Sequence, residues 1–215
     1  ARLRRRVNSS AHDPIFALLE KSEDLVVNKA DELCGFYDWM EGYIPFIFVL
    51  PEESLGFSER VALVRDQTDT RSGISVLDPK DISDAQLPLS RSDPYVLMGV
   101  FPWRDPRVAT TPEEARKVIS IKGRSCLGMN ETIALASSGF MYGYSRQQVR
   151  CVICVLGSVY SPRKHSFLNE LEVPAFYVDF EDPEGPRLAA CSPRAAPGGS
   201  VIYMPFCIER LTLTP

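Results

Sequence analysis

After its last helical stretch the sequence strings together four apolar, β-rich segments, residues 149–156, 173–180, 187–191 and 201–206, joined only by polar and Gly/Pro-bearing connectors. Parallel neighbours in a sheet need a crossover, usually a helix, and no helical pattern lies between these segments. The arrangement argues against a doubly wound sheet. It predicts an α+β fold with N-terminal helices and a mixed or mainly antiparallel sheet flanked by helices.

Upstream, Ile15, Leu18, Leu19, Leu25, Val26, Ala30 and Leu33 recur at helical spacing over 13–40. Asp13 suits an N-cap and Pro14 the first helical position, with a break near Ser22-Glu23-Asp24. Residues 44–50 read as a buried strand stopped by Pro51, and 58–64 as a short helix capped by Ser58. Residues 66–93 are polar and turn-rich, with one short strand over Gly73 to Leu77. A further strand covers 94–101 and is broken by Pro102-Trp103. Thr111-Pro112-Glu113-Glu114 carries the strongest local signal, a capping box with proline at the first helical position, opening a helix that Gly123 closes. A second helix opens at Gly128-Met129-Asn130-Glu131 and ends near Gly139. Residues 1–12, with four arginines and no acid, read as a basic tail, leaving 13–215 as one α+β domain with a polar loop region at 66–93.

Acidic residues outnumber basic ones by 28 to 24, which argues against general nucleic-acid binding. The longest apolar stretch, Ile44 to Leu50, is far too short to cross a bilayer. Six scattered cysteines among apolar neighbours fit buried thiols in the cytoplasm better than a secreted disulfide framework. Cys151 and Cys154 form a CxxC, but within an apolar β-branched run. Positions three apart on a strand point to opposite faces, so the pair is expected in the core and not on a metal.

Three ordered blocks carry a resemblance. The first is Tyr43 to Pro51 with Val61 to Val64. The second is Pro94 to Leu97 with Thr111 to Ala115, Gly123 to Ser125 and Asn130 to Leu135. The third is Leu156 to Ser158 with Val173 to Tyr177 and Pro186 to Cys191. In this order they resemble an uncharacterised bacterial family, frequent in actinobacteria and catalogued as a domain of unknown function. The resemblance spans residues 13–192 and rests on the series, not on any one block. Family members usually continue past the Cys191 position with a stretch bearing Trp, Gly, Asn and His; here Ser192 to Gly199 contains neither His nor Trp. The resemblance implies no reaction, cofactor or partner.

No motif for a nucleotide, a metal or a catalytic triad is complete. The two histidines, His12 and His165, sit in polar surroundings, and Ser161-x-x-Lys164 lacks the partner motifs that would give it meaning. Gly123-Arg124-Ser125 offers backbone donors and a guanidinium that could hold an anion near the second helix N-terminus, or else a helix-closing glycine and a solvated arginine. Gly157-Ser158 ends the most apolar strand and either borders a pocket or makes a tight turn. Trp103, in a proline-flanked loop, is a candidate interface aromatic, or folds back over the core. The reading is a non-catalytic protein-binding or assembly module, without cofactor or metal, self-association included. The alternative is a small-molecule binder or enzyme with a pocket near Gly157, Ser158 and Cys191, with Arg124 and Ser125 as further ligand contacts.

Overall fold

The computed structural model describes residues 13–37, 42–65, 71–84, 93–103, 111–138, 151–162, 171–178, 184–194 and 201–213. Residues 1–12, His12 among them, lie outside this set, as do Lys164 and His165. The fold is α+β. Helices α1 (Asp13–Lys21) and α2 (Glu23–Tyr37) part at Ser22, where the sequence predicts the break. Strand β1 (Ile44–Val49) follows, then a 3-10 turn (Glu52–Ser54) and the short helix α3 (Phe57–Val61). Ser58 is not its cap. The chain turns in at Gly56, whose N–H donates to Glu59 Oε2 at 2.8 Å, so Glu59 in the first turn satisfies the entry.

The 66–93 region is more structured than its composition suggests. Its described residues hold β2 (Ile74–Ser75), a 3-10 turn (Pro79–Asp81) and β3 (Ile82–Asp84). Strand β4 (Tyr95–Trp103) runs through Pro102 and does not stop before it. Helix α4 (Pro112–Ile121) has the predicted capping box: Glu114 N–H donates to Thr111 Oγ1 at 3.3 Å, and Thr111 N–H to Glu114 Oε2 at 2.9 Å. Thr111→Ala should therefore cost about 1 kcal/mol, read as a lower urea midpoint with an unchanged slope. An unmoved midpoint would refute the capping role.

Beyond α4 come β5 (Ser125–Cys126), α5 (Met129–Ser137), β6 (Cys151–Cys154), β7 (Ser158–Tyr160), β8 (Val173–Val178), β9 (Arg187–Cys191) and β10 (Val201–Thr212). The main sheet runs β1-β4-β10-β6-β8-β9-β2, with β5 also on β10, while β3 and β7 form a separate ribbon. Only the β10/β6 and β9/β2 pairs are parallel, so the sheet is mixed and mainly antiparallel. Strand β10 joins the two halves: Val201 to Tyr203 pair with β6, and Met204 to Thr212 with β4.

Helices cover both faces. On one, α5 packs Leu135 against Ile47, Leu97 and Cys207, and Met129 and Ile133 belong to a core with Ile153, Phe176 and Leu188. On the other, α4 packs Ala115 and Ile119 against Val152 and Ala175, and α2 packs Val26, Ala30 and Leu33 against Val96 and Met98. No helix of the described residues is long and apolar enough to cross a membrane.

Candidate functional site

The α4–β5 turn is a helix C-terminus. Gly123 has φ +65°, Gly123 N–H donates to Ser120 O at 2.9 Å and Arg124 N–H to Ile119 O at 3.1 Å, the paired bonds of a Schellman motif. Ser125 enters β5 opposite Cys207. The neighbouring α5 N-terminus already holds the chain's own carboxylates. Glu131 Oε2 accepts from Gly128 N–H at 2.7 Å, and Asp84 Oδ1 from Met129 N–H at 3.3 Å. The backbone donors of Gly123, Arg124, Gly128 and Met129 are thus engaged internally.

Gly157 and Ser158 form a buried joint. Gly157 N–H donates to Leu127 O at 2.8 Å, and a Cβ at Gly157 would lie 2.7 Å from Leu127 O and Gly128 N. Ser158 is 0 % exposed and its hydroxyl donates to Asp84. From α4, Arg116 Nε donates to Leu156 O at 2.8 Å. The residues therefore tie β6 and β7 to the start of α5.

Cys191 lies in the α4-side core, where the Cys154 thiol donates to its sulfur; that bond holds the Cys191 pKa below the ordinary thiol value and raises that of Cys154. Cys151 belongs to the α5-side core, and burial pushes its thiol up to about 12. The CxxC thus splits between the two faces of the sheet, as its strand spacing predicts. Among the described residues no cluster of three or more His, Cys, Asp or Glu is placed to hold a metal ion. Cys34, the one half-buried cysteine, should react first with a thiol reagent, and the five buried ones only after unfolding. Fast native labelling of Cys151 and Cys154 would overturn this.

Trp103 is the last residue of β4, opposite Met204, and packs partly buried against the α4-side core. It folds back over the core and is not a loop aromatic. Arg124, Ser158 and Cys191 accordingly sit in three separate settings.

The opening that the fold does present lies elsewhere. A half-open cavity of about 540 Å³ runs between β1 and α5. Strand β1 contributes Ile44, Phe46, Ile47 and Phe48, and Leu50 follows just past its end. Helix α5 contributes Asn130, Ile133, Ala134 and Ser137, and its capping residue Ser138 continues the same face at helical spacing. From α3 and the turn after it come Arg60 and Leu63. The gap exists because α5 presents small residues, Ala134, Ser137 and Ser138, toward a strand of large ones. The serine hydroxyls bond to the helix's own carbonyls, Ser137 to Ala134 O at 3.1 Å and Ser138 to Leu135 O at 2.7 Å.

One end of the groove is polar. Arg60 donates to Asn130 Oδ1, and Asn130 Nδ2 donates to Glu52 Oε1 at 2.6 Å, so three elements are bridged there. Arg60 also lies 6.0 Å from the Phe57 ring centroid. None of the residues singled out in the sequence for a site lines this groove. The signal that could have found it is the small-residue face of α5 opposite an aromatic strand, legible only once the two are known to be neighbours.

Comparison with family models, curated proteins and solved structures finds no match for this chain.

Proposed function

We propose that the chain is a non-catalytic binding module whose ligand is a segment of a partner protein, held in the groove between β1 and α5. The observation that carries this is the shape of the groove. Its wall along β1 runs from Ile44 to Leu50, just past the strand, about 20 Å of extended chain. An elongated, apolar, half-open slot suits an extended chain better than a compact small molecule, which calls for a site that encloses it. Phe46, 45 % exposed on this wall, supplies an aromatic contact of the kind enriched at interfaces. A catalytic role near Gly157, Ser158 and Cys191 draws no support from their setting, Ser158 being fully buried against Asp84 and Cys191 lying in the α4-side core. Membership of the actinobacterial family and a cytoplasmic location belong to the same proposal. The location is favoured by six free thiols, five of them buried.

The test is selection from a phage-displayed library of random dodecapeptides against the parent and two plugged variants, Ala134→Trp and Ser137→Leu. Enriched, apolar-rich clones that bind the parent and lose about tenfold or more on either folded variant support the proposal. No enrichment, or clones indifferent to both plugs, would refute it. Melting curves establish that each variant is folded.

A further inference from the structure

Phe46, Ile47 and Phe48 are consecutive residues of β1, and all three line the groove. Successive side chains of a strand point to opposite faces of its sheet. Here Ile47 joins the core under α5 while Phe48 packs toward α2. A cavity that touches both faces of one strand lies along that strand's edge. Among the described residues it is the outer edge, because β4 occupies the other side of β1 and β1 ends the strand order of the sheet.

Pro45 limits where this edge can pair. A proline accepted into an edge strand turns its missing donor away from its neighbour. Along an antiparallel pair, every second residue turns its N–H and C=O outward. Pro45 has no partner in the register, which pairs Ile44 with Val100 and resumes at Phe46 with Met98, and Gly99, the residue across from Pro45, has φ +59°. The proline also blunts the first part of the edge, which leaves pairing to the stretch beside Ala134 and Ile133.

Building on the partner-binding reading above, we infer that the bound segment adds to the sheet as a further strand. Its main chain pairs with the outward groups of β1 beyond Pro45, and every second side chain enters the cavity over Ala134. The partner chemistry is an extended segment with apolar residues at alternate positions. Main-chain bonds supply pairing and the cavity selects the alternate side chains, the division of labour general to strand addition. A cavity of about 540 Å³ has room for two large apolar side chains, spaced i and i+2.

The experiment takes the tightest peptide from the selection and methylates each backbone nitrogen in turn, measuring affinity for the intact chain by calorimetry. Strand addition predicts a two-residue period. Methylation at alternate positions weakens binding by about tenfold, through a lost hydrogen bond and a clash, and intervening positions change little. Aspartate at the cavity-facing positions should abolish binding. A peptide that binds and is plug-sensitive, but shows no alternation, overturns strand addition while leaving the partner-binding reading intact. Failure to select any peptide overturns both. Sedimentation of the chain alone checks the remaining occupant: a concentration-dependent dimer lost in Ala134→Trp would assign the edge to a second copy of this chain and overturn the partner assignment.

Discussion

Glu131→Leu should destabilise the protein by about 3–5 kcal/mol, the loss expected when one member of a buried ion pair is removed. Glu131 is 0 % exposed. Its carboxylate accepts from Arg210 Nε at 2.6 Å, Arg210 Nη2 at 2.9 Å, the Tyr95 hydroxyl at 3.1 Å and Gly128 N–H at 2.7 Å. It therefore pins β10 and β4 to the first turn of α5. Burial favours the neutral form of Arg210, yet the hydrogen bond and charge of Glu131 outweigh this and raise its pKa. Burial and the same carboxylate raise the pKa of Tyr95. Leucine at 131 would strand the Arg210 guanidinium with Cys126 O, at 3.0 Å, as its remaining partner in this network. Adding Arg210→Met removes the stranded charge, so the double variant should recover much of the loss. Urea unfolding of the four proteins measures the cycle. A single-variant loss under about 1 kcal/mol, or no recovery in the double variant, would contradict the account.

Gly157→Ala should cost about 2–3 kcal/mol, a large effect for one methyl group. The added Cβ would lie 2.7 Å from Leu127 O, Leu127 C and Gly128 N, and backbone on both sides cannot yield as a flexible side chain would. The β6–β7 joint would have to back away from the start of α5. Because Gly157 does not line the groove, peptide affinity measured well below the unfolding midpoint should match the parent. Parental stability would mean that the turn has room it does not show. Weakened binding at equal stability would restore Gly157 to a ligand site.

The helices and most strands were legible because their signals are local: a capping box at Thr111, a break at Ser22, and the β-branched run around Cys151. What was missed depended on distant partners. Strand β10 was expected to end at Phe206 and continues to Thr212, because Arg210 is tolerated there only through Glu131, 79 positions away. Pro102 reads as a strand breaker, yet it lies directly opposite Pro205. Pro205 O accepts from Leu127 N–H, so its nitrogen side faces β5 and not β4, and no ladder bond is missing between the two prolines. Ser58 was read as a cap because serine is the commoner choice, but Gly56 and Glu59 met the need two residues earlier. The groove was illegible for the same reason as Arg210. Ala134 and Ser137 look like an ordinary helix end until β1 is placed beside them.

The central position of β10 has a consequence for how the chain is made. Met204 pairs with Trp103, so β4 waits about 100 residues of synthesis for its inner neighbour, some 5–20 s at ordinary translation rates. During that interval β4, and β6 once it has been made, carry a vacant pairing edge, and the two halves of the sheet have no β10 to join them. The nascent chain is thus most open to misassembly just before its final strand emerges, and factors that shield unpaired strands on the ribosome should matter more for this protein than for one whose central strand comes first.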